Sequence, residues 1–192
     1  MDSEKLLDHL SERANGFRAV AKKLSHYDLP QLNWRPSPNS WTILECLEHL
    51  NLYGEFYLPQ IERKINTSKT KSELHFKPGL LGNYFAQSML PKKNAKKIKT
   101  FKANNPMHQK IDKSTIEKFI IQQNQLLNLL QDSRQVSLNK IKITTSISSL
   151  ISLKLGDTFL FLTNHIERHL NQIDKLELEF KNNEHRFSEQ KK

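Results

Sequence analysis

The chain has 192 residues, a length that suits one domain with one hydrophobic core. Its residues are 36% hydrophobic and 26% charged with only 5 Gly, which favours helices with polar outer faces over a turn-rich all-β fold. A single cysteine, Cys46, excludes an intramolecular disulfide and a metal site built from several thiolates. The formal charge of +10 indicates either a lysine-rich surface or an anionic partner such as nucleic acid.

The first predicted helix covers about residues 2–25. Its apolar residues recur at three- and four-residue steps, which is typical of a helix that buries one face. They are Leu6, Leu7, Leu10, Ala14, Phe17, Val20, Ala21 and Leu24. Pro30 ends the pattern, and residues 31–40 are a polar link to the next helix.

The second predicted helix begins after Thr42, because Thr42 and Glu45 have the spacing of a capping box. Its buried stripe contains Ile43, Leu44, Leu47, Leu50, Gly54, Leu58 and Ile61. His49 lies beside that stripe, one turn from Cys46 and from Tyr53. This position makes His49 a candidate ligand on the inner face of the helix.

Residues 66–113 lack helical periodicity and are rich in lysine, particularly over 92–110. Connections of this length are uncommon unless they are functional or partly disordered. The middle of the segment carries Phe76, Leu80, Leu81, Tyr84, Phe85, Met89 and Leu90. These apolar residues predict a short helix that docks on the rest of the protein.

The third predicted helix begins at a second capping-box pattern, Ser114 to Glu117, and its apolar residues continue to Leu130 at helical spacing. Residues 133–156 are rich in β-branched side chains, which favour a short extended piece. The last long helix opens at Gly156-Asp157, with Asp157 as the predicted N-cap. We expect one domain over residues 1–182 and a frayed polar tail over 183–192.

His165 and His169 lie four positions apart on the last predicted helix. Residues at this spacing share one helix face, with Cβ atoms roughly 5–6 Å apart, so two imidazoles can bind one metal ion. His49 supplies a third candidate ligand, since bundles build metal sites from side chains on facing helices. Three neutral imidazoles leave a coordination position open, as in catalytic zinc sites.

The histidines and Cys46 also have other interpretations. A histidine near an apolar face is more often a core or surface residue than a ligand. Cys46 fits a nucleophile, a fourth ligand or, more commonly, core packing. The remaining histidines, predicted to be solvated, are His9, His26, His75, His108 and His185. No nucleophile elbow, phosphate-binding glycine loop or His-Glu-x-x-His motif is present, so no catalytic residue is assigned.

Three segments resemble the DinB-like superfamily, in the same order along the chain. Residues 34–50, Trp-Arg-Pro-Ser-Pro-Asn-Ser-Trp-Thr-Ile-Leu-Glu-Cys-Leu-Glu-His-Leu, resemble the pattern that opens the second helix of that family. Residues 101–106, Phe-Lys-Ala-Asn-Asn-Pro, and the pattern His165-x-x-x-His169-Leu-x-Gln-Ile173 are also similar. The motifs are short, but together they span most of the chain.

This resemblance implies an all-α four-helix bundle with up-down-down-up connectivity, here with a long insertion between the second and third helices. It also implies a homodimer and a divalent metal ion, zinc, nickel or iron, held by His49, His165 and His169. Related branches include S-transferases and isomerases that use bacillithiol or mycothiol. Nothing in the sequence selects one branch.

Two functions from different classes follow from these observations. The first is a metal-dependent enzyme, a transferase or hydrolase acting on a small molecule, with a low-molecular-weight thiol such as bacillithiol as co-substrate. The alternative is a non-catalytic basic module that binds nucleic acid or another anionic partner through residues 92–110. That segment lacks the interleaved aromatic residues of single-strand readers, which disfavours the alternative. A third hypothesis is a vestigial site in a bundle that merely dimerises.

The charged start of the chain and the lack of a long apolar run bear on its location. Asp2, Glu4 and Lys5 precede any apolar run, and no stretch approaches 18 uncharged apolar residues. We therefore expect no signal peptide, no membrane span and a cytoplasmic protein.

Overall fold

The computed structural model describes the backbone of residues 1–90 and 100–189, and the side chains of 1–90 and 100–183. The helices are α1 Ser3–Leu24, α2 Leu29–Leu32, α3 Ile43–Asn66, α4 Leu80–Met89, α5 Ser114–Asp132 and α6 Leu155–Glu189. An antiparallel hairpin of β1 Lys142–Thr144 and β2 Ser152–Lys154 precedes α6. The structure thus confirms a mostly helical fold and the short extended piece between 133 and 156.

The contacts of α1 define the directions of two other long helices. Helices α1 and α6 run parallel, because Arg13 pairs with Glu167 whereas Lys23, further along α1, pairs with Glu177 further along α6. Helix α5 runs antiparallel to α1. Its contacts with α1 proceed in opposite directions along the two helices: Arg18 to Asn124, and Asp8 to Arg134 just beyond the end of α5.

Helix α3 completes the bundle by packing between α5 and α6. It runs antiparallel to α6, since His49 contacts His169 while Tyr57, two turns later, contacts the earlier residue Phe161. The four long helices therefore have the predicted up-down-down-up order. Helices α1 and α3, which follow one another among the four long helices, lie diagonally across the bundle, so the link between them must cross its end.

A close approach of α3 and α5 depends on Gly54. A Cβ atom at this position would lie 2.1 Å from the Gln122 side-chain oxygen, closer than non-bonded atoms can approach. Gln122 cannot move away without loss, because its Nε2 donates to the Asn51 carbonyl at 3.1 Å in the buried interior. Because Gly54 has no side chain, α3 and α5 can pack closely together at the centre of the bundle.

The predicted capping box at the start of α3 is confirmed. The Thr42 N–H donates to Glu45 Oε2 at 2.8 Å, and the Glu45 N–H donates to Thr42 Oγ1 at 3.1 Å. The second predicted capping box, at the start of α5, is wrong. Ser114 is already helical, and its N–H and hydroxyl both donate to Asp112 Oδ1, since the earlier carboxylate is the stronger acceptor.

Asp157 is not the N-cap of the last helix, contrary to the prediction. Helix α6 begins at Leu155, and its first amides are satisfied by the preceding hairpin region: Leu155 N–H donates to the Ile141 carbonyl and Gly156 N–H to the Leu138 carbonyl. The Asp157 carboxylate instead accepts the N–H of Gly79, at 3.0 Å, and anchors the start of α4.

The inserted segment between α3 and α5 contains the predicted short helix, α4, which packs on α6. The Asn164 amide on α6 donates to the Ala86 carbonyl on α4 at 2.9 Å. A single 3-10 turn, Lys102–Asn104, follows and lies against α3. The lysine-rich segment 92–110 is described only from residue 100 onward, and residues 92–99 lie outside the described residues.

The last helix is longer than predicted. It continues to Glu189, through the region where a frayed tail was expected, and only residues 190–192 lie outside the described backbone. The polar link after α1 also contains a helical turn, α2, which Asp28 caps by accepting the Gln31 N–H at 2.8 Å. Among the described residues, no helix is long and apolar enough to cross a membrane.

Candidate metal centre

The structure brings His49, His165 and His169 together between α3 and α6. The three residues are only 3%, 5% and 8% exposed to solvent, in that order, so the imidazoles lie inside the bundle. His165 and His169 share one face of α6 through their four-residue spacing, and His49 faces them from α3. The grouping of the three predicted residues depends on the antiparallel packing of these two helices.

The Nε2 atoms of the three histidines point toward one another. His165 Nε2 lies 3.1 Å from His49 Nε2 and 3.1 Å from His169 Nε2, and the possible ligand atoms all lie within 4.8 Å of one another. Zinc–nitrogen bonds of about 2.0–2.1 Å in a tetrahedral site place the ligand nitrogens roughly 3.3 Å apart. The observed separations from His165 are close to that value.

The outer ring nitrogens of two histidines have acceptors that define the tautomer. His49 Nδ1 lies 2.6 Å from the Asn104 carbonyl, and His169 Nδ1 lies 3.1 Å from the Gln172 side-chain oxygen. Each Nδ1 must therefore carry the proton and donate it, which leaves a lone pair on each Nε2. A hydrogen-bonded outer nitrogen is the usual arrangement for histidines that bind metals.

The three Nε2 atoms suit a bound cation, because they cannot all form hydrogen bonds with one another. With lone pairs on His49 Nε2 and His169 Nε2, an Nε2–H of His165 can donate to only one of them. Converging lone pairs repel in a buried site, where the dielectric constant is low. A divalent ion accepts all three, so the residues present fit the metal ion that the family implies.

The electrostatics of the site keep the imidazoles neutral. Burial lowers the pKa of His49, although its hydrogen bond to Asn104 partly opposes this. Burial, and the repulsion that a protonated His165 would meet from protonated His169 or His49 and from Arg168, lower the pKa of His165 well below its usual range. Burial, assisted by His49, lowers the pKa of His169 to about 3. Neutral imidazoles are the form that binds metal.

We expect the stability of the metal-free protein to fall in acid. Below the ordinary histidine pKa of 6.5 the unfolded chain takes up protons at these three residues, whereas the folded protein does not, down to about pH 3 for His169. The free energy of unfolding should therefore be constant above pH 6.5 and decrease below it, by up to about 1.4 kcal/mol per pH unit for each histidine. Urea unfolding in the presence of a chelator from pH 8 to pH 4.5 measures the slope. In His169→Gln the slope should be smaller; an equal slope would contradict this origin.

Aromatic side chains surround the three imidazoles. Trp41 stacks on His169 with ring centroids 5.7 Å apart and contacts His49 at 4.8 Å. Tyr53 lies edge-on to His165, with centroids 4.4 Å apart, and Phe161 stacks on the same ring. These rings restrict water around the site and hold the imidazoles in place.

The buried carboxylate of Glu45 links the segments that surround the site. Besides its capping contact, it pairs with Arg35 at 2.9 Å from the link before α3, and its Oε1 accepts the His108 N–H at 2.6 Å. His108 has a positive φ of 65°. The segment fixed in this way includes Asn104, the residue whose carbonyl orients His49. Glu45 thus connects the start of α3 to the backbone that supports the ligand.

Other residues that the sequence singled out lie elsewhere. Cys46 is fully buried in the hydrophobic core, and burial raises the pKa of its thiol far above its usual range, so it is neither an activated nucleophile nor part of the histidine cluster. His9, His26, His75 and His108 are exposed, as predicted, and the side chain of His185 is outside the described residues.

The two residues that orient the ligands were not predicted from the sequence. Gln172 lies three positions after His169, a helical neighbour spacing that could have indicated the contact. Asn104 acts through its backbone carbonyl, 55 positions from His49, and no residue type reports such a contact.

Comparison with known proteins supports the family resemblance. Neither the curated proteins nor the solved structures gave a significant match. A family profile described as the DinB superfamily matches residues 9–173, which include all three histidines. Members of that superfamily are often metal-dependent enzymes, and the cluster of three buried histidines is compatible with this. Since the match covers most of the chain, the protein belongs to the DinB superfamily.

Proposed function

We propose that the protein is a metal-dependent enzyme that binds one divalent ion through His49, His165 and His169. The observation that carries this proposal is the convergence of three neutral Nε2 atoms, with two separations of 3.1 Å, in a buried site. Sites with three protein ligands leave at least one coordination position for water or substrate. This arrangement is the one found in catalytic rather than structural centres.

A bound ion of this kind lowers the pKa of a water or thiol ligand and so supplies a nucleophile at neutral pH. The residues of the chain provide the rest. Asn104 and Gln172 hold the imidazoles of His49 and His169 in the tautomer that presents Nε2. Burial raises the pKa of Tyr53, whose ring contacts His165, although hydrogen bonds with the Asn104 and Ser146 side chains partly oppose this, so its hydroxyl remains protonated beside the cluster.

We further propose a transferase or hydrolase reaction on a small molecule, with a low-molecular-weight thiol such as bacillithiol as co-substrate. In the transfer, the thiol gives its proton to solvent water, the sulfur forms a bond to an electrophilic carbon of the substrate, and the leaving group departs from that carbon with the electron pair of the bond that joined them. The family resemblance supports this proposal, as does the buried site, since low polarity strengthens the interaction of a thiolate with a cation.

The first experiment is elemental analysis of protein purified without a chelator or a polyhistidine tag. We expect about one zinc, nickel or iron ion per chain. The cobalt-substituted protein should then develop a sulfur-to-metal absorption band when bacillithiol is added. The S-methyl derivative, which cannot form a thiolate, should give no band. No metal in the native protein, even after reconstitution with each ion, would refute the proposal.

The described part of the lysine-rich segment does not favour the alternative of nucleic acid binding. In that part the Asn104 carbonyl accepts a hydrogen bond from His49, and the His108 N–H donates to Glu45. This stretch therefore supports the candidate metal centre. The proposal therefore assigns no nucleic acid partner.

The homodimer that the family resemblance implies is also a proposal. Helix α4 carries two strongly exposed apolar residues, Leu80 at 96% and Tyr84 at 67%, which association of two chains could cover. Sedimentation equilibrium should give twice the chain mass, and replacing both residues by serine should lower it. A native mass equal to one chain at micromolar concentration would contradict the proposal.

A further inference from the structure

A small cavity lies at the centre of the bundle, beside the histidine cluster. It is bounded by α3, α5 and α6, and its lining includes His165, Gln123, Gln122 and Tyr53 together with aliphatic side chains. Its volume of about 20 Å³ is close to the space that one water molecule requires. Whether such a space holds water depends on the polar atoms around it.

Two polar atoms of the lining residues have no hydrogen-bond partner among the described residues. One is Nδ1 of His165, and the other is Oε1 of Gln123 on α5. Both residues are almost fully buried, at 5% and 3% exposure. A buried polar atom without a partner costs about 1–3 kcal/mol, so two such atoms on residues that line one cavity call for a common explanation.

The two atoms are complementary. His49 and His169 each donate through Nδ1, which leaves His165 as the one histidine of the cluster whose Nδ1 has no partner among the described residues. Metal-binding histidines usually donate this nitrogen to a carbonyl, a carboxylate or water. The Gln123 side-chain oxygen is an acceptor, and a water between the two can accept from Nδ1 and donate to Oε1.

We propose that a single buried water in this cavity bridges His165 Nδ1 and Gln123 Oε1, which makes Gln123 a positioning residue of the metal centre. The inference rests on the proposed three-histidine site. The bridge fixes the proton of His165 on Nδ1, so that its Nε2 lone pair faces His49 and His169. Gln123 does not contact the metal and acts through His165.

The test compares the native protein with Gln123→Leu and Gln122→Leu. Leucine has nearly the size of glutamine but cannot accept a hydrogen bond. Gln122 lines the same cavity, but its Nε2 donates to the Asn51 carbonyl, so its replacement controls for lost packing and stability. Zinc affinity, measured by competition with a chromophoric chelator, should fall about 10- to 100-fold in Gln123→Leu and less than about threefold in Gln122→Leu.

A second readout reports the tautomer directly. In zinc-loaded protein with ¹⁵N-labelled histidine, long-range proton–nitrogen spectra should show a slowly exchanging His165 Nδ1–H in the native protein and in Gln122→Leu. In Gln123→Leu that proton should exchange rapidly. Gln123→Glu, which keeps an acceptor at this position, should restore both the slow exchange and the zinc affinity. Equal affinity and identical His165 spectra in the native protein and Gln123→Leu would overturn the inference.

This result can be separated from a failure of the proposed function. If the native protein binds no zinc, the metal proposal fails, and the spectra of the unloaded protein decide the role of Gln123. A His165 Nδ1–H that is protected in the native protein and lost in Gln123→Leu would still support the bridge. The same signal in both proteins would overturn it.

Discussion

Replacing His169 by alanine should abolish tight metal binding while leaving the protein folded. The substitution removes one of three ligands, and the two imidazoles that remain coordinate a divalent ion only weakly. Since even the loss of an outer hydrogen-bond partner costs 10- to 100-fold in affinity, we expect a decrease of more than about 100-fold. Zinc titration against a chelator measures it. The same loss is expected for His49→Ala and His165→Ala.

The control for this experiment is His9→Ala, the same substitution at an exposed histidine on α1. It should retain native affinity and stoichiometry. The metal-free His169→Ala protein should be as stable as the metal-free native protein or more stable, because the converging nitrogens of the native site are poorly satisfied without a cation. Full metal content in His169→Ala would exclude the three-histidine site.

Glu45→Ala should lower the free energy of unfolding by about 3 kcal/mol, a large part of the 5–15 kcal/mol that is typical of a folded domain. The change removes the half of the capping box in which Glu45 Oε2 accepts the Thr42 N–H, while the Thr42 side chain still accepts the N–H of residue 45, and it leaves Arg35 without its carboxylate partner. Breaking a buried ion pair costs about 3–5 kcal/mol, and the Arg35 side chain is 25% exposed, so the lower part of that range applies. Urea unfolding at pH 7 in the presence of a chelator measures the change.

Glu12→Ala, at an exposed position of α1, provides the matched control and should change stability by less than about 0.5 kcal/mol. Glu45→Gln should lie between the two, since the amide oxygen still accepts one of the backbone N–H groups. A change in Glu45→Ala as small as that in Glu12→Ala would show that the carboxylate does not hold these segments together.

The effect of Glu45 should extend to the metal. Its contact with the His108 N–H fixes the segment that contains Asn104, and the Asn104 carbonyl orients His49. If the segment that contains Asn104 becomes more mobile, His49 is no longer held in the tautomer with its proton on Nδ1. We therefore attribute to Glu45 both the stability of the bundle end and the orientation of one ligand.

The helical class, the long helices and the candidate ligands could all be predicted from the amino-acid sequence. The apolar spacing of α1 and the Thr42–Glu45 capping box are local patterns, and both are confirmed because short-range geometry alone produces them. The four-residue spacing of His165 and His169 is local in the same sense. The predicted caps of α5 and α6 are wrong, although α5 does begin at Ser114, because the Asp112 carboxylate and the carbonyls of Ile141 and Leu138 satisfy the amides there.

The way in which these helices and histidines form a site depends on contacts between residues far apart in sequence. The approach of His49 to His165 depends on antiparallel packing of α3 and α6 across 116 positions of sequence. The Asn104 carbonyl that orients His49 and the cavity between His165 and Gln123 are equally non-local. Backbone carbonyls and cavities leave no pattern of residue types, because any sequence carries the former and packing creates the latter. The ligands can therefore be named from the sequence, whereas the groups that orient them follow from the fold.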